Sequence, residues 1–297
     1  MKLGVFDSGL GGLLIARAIK DKMPDVDIVY LGDTLHVPYG KRSPKAVYDF
    51  TKRAMDFLFD QDCQLIVIAC NTASASALRQ LQQIYLPKRF PAENHDHRRI
   101  LGVVVPTLEA AVEKGFKNIG ILGTSNIVEK GVYKEELQKI DPDIQIHQQA
   151  APLLVPLIED GGIKYAQDIL RDYIAPLKAK QVDSIILGCT HYPYLKNIIS
   201  GIANEDLESG AREINILSQD TLIPEKLVEY LNNHPEISNA LSRKGRIDFF
   251  VTDITHSYRQ SAKDIYRGHI DLKLVSLPRR GQEEDDYIPD LEKVSVK

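Results

Sequence analysis

Short, almost wholly apolar runs recur along this chain, and most are followed by a polar turn and then a stretch of helical periodicity. "LIVIA" at 65–69 and "SIILG" at 184–188 show the pattern. Runs without polar alternation suit strands buried on both faces, which is the condition of a parallel sheet covered by helices. Candidate strands are residues 3–6, 27–31, 64–69, 100–105, 118–122, 144–148, 184–187, 214–217 and 247–251. Candidate helices are 13–22, 44–59, 72–81, 108–114, 128–140, 164–178, 222–231 and 258–266. Strands alternating with helices at this spacing predict an α/β fold of parallel strands with helical crossovers.

The chain has 297 residues, enough for two medium domains. Two polar stretches, "PKRFPAENHDHRR" at 87–99 and "SGIANEDLESG" at 200–210, read as boundaries. They predict a first lobe of residues 1–99 with a returning segment from about 211 to 268, and a second lobe of 100–210. Residues 269–297, with "RRGQEEDDY", read as a C-terminal extension. A faint internal echo pairs "KLGVFDSG" with "ILGVVVPT" and "LIVIACNTAS" with "SIILGCTHYP", suggesting a duplicated design.

A formal net charge of −4 argues against a nucleic-acid partner. No apolar run is long enough to span a bilayer, and no secretory leader pattern precedes the first strand. Three cysteines, Cys63, Cys70 and Cys189, are too few for a disulfide framework and suit a reducing cytoplasm. Cys63 precedes its strand and reads as a small buried hydrophobe. Cys70 and Cys189 differ, because each follows an apolar strand and precedes a hydroxyl-bearing turn, "CNT" and "CTH". Ligands of α/β sheets bind at the carboxyl ends of strands. Both thiols therefore belong at such an end, one in each lobe, near amides and hydroxyls able to hold a carboxylate. A zinc site would need further ligands, and no C-x-x-C or histidine cluster accompanies either thiol. His95 and His97 in "NHDHRR" read as a solvated loop. "GVFDSGLGG" at 4–12 lacks the Gly-Lys-Ser/Thr ending of a phosphate loop; its glycines suit close approach to a small polar ligand that Asp7 and Ser8 can meet.

Five segments, "GVFDSGLGG", "YLGDTLHVPYGKRS", "VIACNTASA", "PLLVPLIE" and "LGCTHYPYL", resemble the bacterial glutamate racemases in order and spacing, over about residues 3–266. The resemblance implies two pseudo-symmetric α/β lobes, each a mainly parallel sheet flanked by helices, with the active site in the cleft between them. It implies a cofactor-independent isomerase, with no metal, that interconverts L- and D-glutamate and supplies D-glutamate for peptidoglycan synthesis. Aspartate or another acidic amino acid is the alternative substrate. The expected partner is the small-molecule substrate, with no nucleic acid and no membrane, and the family's varied assemblies allow a homodimer.

Racemisation takes a proton from one face of Cα and returns one to the other, so two acid/base groups avoid moving a single base around the substrate. By resemblance, Cys189 deprotonates L-glutamate and Cys70 deprotonates D-glutamate. His191, two residues beyond Cys189, is assigned to assist that thiol, and Asp7 is the candidate beside Cys70. Glu159 matches the family's third assisting acid. Asn71, Thr72, Thr190, His191 and Ser8 are candidate substrate contacts, with Asp7. Tyr39 and Gly40 are carried over from the family's substrate loop, which Asp33 is expected to orient.

Overall fold

The apolar runs become strands, and their register sets the architecture. The computed structural model of the protein describes residues 1–91, 98–205, 212–278 and 286–289. By internal contacts the chain divides into two units, Met1–Gly102 with Leu227–Lys297, and Val103–Lys226.

In the first unit, strands β1 (Lys2–Asp7), β2 (Ile28–Gly32), β3 (Cys63–Ile68) and β4 (Arg99–Gly102) alternate with helices α1 (Leu13–Lys22), α2 (Pro44–Asp60), α3 (Asn71–Gln80) and α4 (Leu86–Arg89). The second unit holds α5 (Val104–Glu113), β5 (Asn118–Gly123), α6 (Ser125–Lys130), α7 (Val132–Ile140), β6 (Gln145–Ala150), α8 (Leu154–Glu159), α9 (Ala166–Ala179), β7 (Ser184–Gly188), α10 (Lys196–Ala203) and β8 (Asn215–Leu217). Helix α11 (Gln219–Asn233) leads back to the first unit, where α12 (Pro235–Ala240), β9 (Ile247–Val251), α13 (His256–Tyr266) and β10 (Leu272–Leu274) follow.

Both sheets are parallel. Their orders are β10-β9-β2-β1-β3-β4 and β6-β5-β7-β8. In chain order the segment β2-β1-β3-β4 and the whole second sheet share one topology, with the second strand outside the first and the third on its other side. The strand order therefore reverses at β1/β3 and at β5/β7. Such switch points are where open α/β sheets form ligand crevices, outside the strands' carboxyl ends. The first sheet packs Phe6, Leu31, Ile66 and Ile68 against α2 and α3 through Tyr48, Met55, Leu58 and Ala77. The second packs Leu122, Ile185 and Leu187 against α9 and α10 through Leu170, Ile174 and Ile199. Helix α2 begins at an exposed Ser43 cap that accepts the Ala46 amide at 3.3 Å, with Pro44 at the first helical position. Caps of this kind contribute about 1 kcal/mol.

Five expectations are corrected. The strand expected at 100–105 stops at Gly102, and Val104 already starts α5, so Ile100 belongs to the fourth strand of the first sheet rather than to the second unit. Consequently the counterpart of β1 is β5, "NIGILG", and not "ILGVVV"; the echo between β3 and β7 keeps its place. The return to the first unit comes later than residue 211, because β8 pairs with β7 (Ile186↔Leu217). The segment from residue 269 is not wholly an appendage. Its β10 adds to the edge of β9, and Leu277 and Tyr287 pack on the first core. Asp286 pairs with Lys52 at 3.0 Å, and the Gln80 amide brackets the backbone of Ile288. The helix expected at 128–140 is broken at Gly131, whose φ of 67° caps α6 in the left-handed region that glycine enters without strain. His95 and His97 lie outside the described residues.

Candidate active site

At the first switch point β1 ends in Asp7 and β3 in Ile68, and the Ala69 amide donates to the Phe6 carbonyl at 2.7 Å. This brings the tips carrying Asp7-Ser8 and Ala69-Cys70 side by side. Cys70 is extended and caps α3: its Sγ accepts the Ala73 amide at 3.5 Å and donates to Ser8 Oγ at 3.2 Å. A thiol therefore stands where serine or aspartate usually caps, in the positive field of the helix start, which favours a thiolate. Asn71 and Thr72 form the buried first turn of the same helix. Asp7 is fully buried, and its Oδ2 accepts the Gly9 amide at 3.0 Å. Gly12 faces it so closely that a Cβ there would overlap Asp7 Cβ and lie 2.8 Å from Cγ. Gly12→Ala is expected to cost about 1–3 kcal/mol of stability by overpacking and to displace the Asp7 carboxyl, read as a lower urea midpoint.

Tyr39 opens a single 3₁₀ turn, Tyr39–Lys41, that also holds the half-buried Gly40. Its hydroxyl donates to Asp33 Oδ2 at 2.6 Å. Burial first, then the Asp33 carboxylate and the Cys70 sulfur, push the phenol's pKa well above its ordinary value, so Tyr39 stays protonated. Asp33 does hold this loop: it also accepts from Thr252 Oγ1 at 2.7 Å and contacts His36 Nδ1 at 2.8 Å. Thr252 and His36 were not foreseen from sequence. Strands β9 and β2 both run into a threonine and an acid, in opposite order in "VTD" and "LGDT", but no local spacing joins the two segments.

At the second switch point Cys189 directly follows β7 and is 7% exposed. Its Sγ lies 3.8 Å from His191 Nδ1, and His191 Nε2 lies 3.0 Å from Glu159 Oε1 at the end of α8. Burial disfavours the charged ring, but the hydrogen bonds and charges of Cys189 and Glu159 prevail and hold its pKa well above the usual histidine value. In its charged form the ring directs one N–H toward the sulfur and the other toward the carboxylate. Thr190 is buried between the two site residues, and the next residue, Tyr192, anchors the turn by donating to the Ala151 carbonyl at 2.9 Å. Cys63 shows the contrasting case. It sits in the core, where burial pushes its thiol up to about 12.

Cys70 thus meets Ser8, Tyr39 meets Asp33, and Cys189 meets His191, which in turn meets Glu159. Among the described residues no group of three or more His, Cys, Asp or Glu is arranged to hold a metal ion, and no helix is long and apolar enough to cross a membrane. A protein-family profile described as Asp/Glu/Hydantoin racemase matches residues 14–205. The chain is 37% identical over 281 residues to the glutamate racemase of Sulfurihydrogenibium sp. (strain YO3AOP1), covering 93% of this chain and 98% of that one. A crystal structure of a glutamate racemase isoform from Bacillus anthracis aligns with a TM-score of 0.81 at 29% identity, covering 94% of this chain and 98% of that one. The glutamate racemase of Francisella tularensis, solved in complex with D-glutamate, aligns with a TM-score of 0.78 at 26% identity over 93% and 97%. Sequence and fold agree over more than nine-tenths of the chain, and the profile over residues 14–205: the chain belongs to the glutamate racemases of the Asp/Glu/Hydantoin racemase family.

Proposed function

We propose that the chain interconverts L- and D-glutamate by a two-base mechanism, with Cys70 and Cys189 as the acid/base pair. The observation that carries this reading is positional. Each cysteine follows the third strand, in chain order, of a four-strand arrangement of the same topology, at the switch point, with polar residues beside its sulfur. In one direction Cys189, as thiolate, takes the α-proton of L-glutamate while Cys70, as thiol, delivers a proton to the other face. The reverse direction exchanges the two roles. An unperturbed thiol with a pKa near 8.5 is only a few per cent ionised at neutral pH, so each sulfur needs help to reach the thiolate. Beside Cys189 stands His191, oriented by Glu159 and assigned to assist that thiol. For Cys70 the start of α3 contributes, with Asp7 as the assisting acid at the neighbouring strand tip.

The α-proton is weakly acidic, and the reading uses no cofactor as electron sink. Charge developing on the α-carboxylate is instead met by preorganised donors, for which Ser8, Asn71, Thr72 and Thr190 are the candidates. The Tyr39–Gly40 turn is assigned to substrate binding. The product D-glutamate suits peptidoglycan synthesis, and a cytoplasmic setting accords with three free cysteines.

The test is chiral chromatography of L- and D-glutamate incubated separately in heavy water, with L- and D-aspartate in parallel. Both glutamate enantiomers are expected to converge on a 1:1 mixture, with one solvent deuteron at Cα of each inverted molecule. Aspartate, one methylene shorter, is expected to react about 10–200-fold less efficiently. Turnover of aspartate in preference to glutamate would establish the alternative substrate; turnover of neither would remove the racemase reading.

A further inference from the structure

Strands β2 and β9 lie side by side in the first sheet, with Gly32 opposite Val251, so their carboxyl ends meet although 219 positions separate them in sequence. The contacts there are reciprocal. Thr252 Oγ1 donates to Asp33 Oδ1 at 2.7 Å and accepts the Leu35 amide at 2.9 Å. Thr34 Oγ1 donates to the Asp253 carbonyl at 2.6 Å and accepts the Asp253 amide at 2.8 Å. Asp33, 1% exposed, is the hub: its amide donates to the Asp7 carbonyl at 3.0 Å, and its carboxyl gathers Thr252, His36 and Tyr39. The His36 ring is stacked on Phe50 at 4.1 Å, which limits how far that arm of the hub can swing. The phenolic proton of Tyr39 is committed to Asp33. Its oxygen is therefore left as an acceptor, aimed by whatever holds Asp33.

We propose that Thr252 is a positioning residue of the reaction. Its hydroxyl, through Asp33, sets the Tyr39 phenol and with it the Tyr39–Gly40 turn. The proposal rests on the reading, given above, that this turn binds substrate. Thr252 uses its hydroxyl both as donor and as acceptor, so valine, equal in shape, removes two hydrogen bonds at once, whereas serine keeps both.

The test compares Thr252→Val and Thr252→Ser with the wild type in both directions of glutamate racemisation. Loss of a hydrogen bond to a carboxylate predicts that Thr252→Val raises KM about tenfold for both enantiomers. Its kcat should stay within about threefold, and Thr252→Ser should restore the wild-type KM. A residue that merely ends a strand would lower the melting temperature without this split. His36→Phe keeps the stack on Phe50 and removes another contact to Asp33, and it should raise KM in the same sense by a smaller factor. The substrate-free readout is the ζ-carbon NMR resonance of Tyr39 in protein carrying labelled tyrosine, assigned with Tyr39→Phe. It should move in Thr252→Val and not in Thr252→Ser. An unchanged KM in Thr252→Val, or in His36→Phe should Thr252→Val not fold, overturns the proposal. If the wild type fails to act on glutamate, the parent reading falls, and the resonance then decides the linkage alone: movement supports it and no movement overturns it.

Discussion

Serine in place of Cys189 is expected to lower racemisation of glutamate in both directions by about 10²–10⁴-fold, the range that a positioned acid/base group supplies. Cys70→Ser should do the same. Either loss follows from the stoichiometry of inversion, because removal of a proton on one face is useless without delivery on the other. The two variants should part company in isotope exchange. On the two-base reading, Cys189→Ser leaves Cys70 to take the α-proton of D-glutamate and return a solvent deuteron to the same face. D-Glutamate should then gain deuterium without inverting, while L-glutamate stays protiated. Cys70→Ser should show the mirror-image result. Proton NMR at Cα in heavy water, with chiral chromatography of the same samples, reads both quantities. Near-wild-type racemisation by either variant would end the two-base assignment. Matching melting curves would show that the loss is chemical, since both sulfurs lie in packed surroundings, 5% and 7% exposed.

His191→Asn is the second large effect. Asparagine keeps a polar side chain of similar reach but carries no charge, so both the sulfur and Glu159 lose a cationic partner. A fall in kcat/KM of about 10²–10³-fold is expected, within the range for loss of an acid/base or charge-stabilising group. The pH dependence of stability has a definite sign. The folded-state pKa of His191 is raised. Protonation of the ring therefore stabilises the fold fully below the unfolded value, about 6.5, and this contribution is lost as pH rises through the folded value. The wild type should accordingly exceed His191→Asn in melting temperature most near pH 6, and the gap should narrow toward alkaline pH. Curves that stay parallel from pH 6 to 10 would show that the ring is not held as an imidazolium. Glu159→Gln should narrow the gap from the other side, because it removes one of the two charges that favour the cationic ring.

The site was legible in sequence where it is local. Cys70 and Cys189 stand out because an apolar strand and a hydroxyl-rich turn flank each within a few residues, and the parallel sheet places such turns at a ligand edge. The union of His191 with Glu159 spans 32 positions, and its geometry is visible only in the fold. The hub at Asp33 spans 219, and nothing in the spacing of "LGDT" and "VTD" announces that they touch. The misjudged boundary has a similar cause. Strand β8 is only three residues long, so its pairing with β7 gives no periodic signal to outweigh the polar stretch before it. Strand β10 is as short, follows Asp271 and carries Lys273 at its centre. The confusion of β4 with a counterpart of β1 arose because buried parallel strands share one composition. Strand order, which separates them, is a long-range property.

The first unit is written in two instalments, with the whole of the second unit inserted between them. A ribosome finishes β4 at Gly102 and must add 149 further residues before β9 is complete at Val251. At ordinary elongation rates that interval lasts roughly 7–30 s. Throughout it β2, a central strand of the finished sheet, shows an open hydrogen-bonding edge to solvent, the kind of edge that recruits stray strands. Newborn chains should therefore lean on chaperones in this window. Thr252 emerges only at its end, so a nascent chain still short of that residue cannot complete the hub at Asp33, however well its earlier helices and strands have formed.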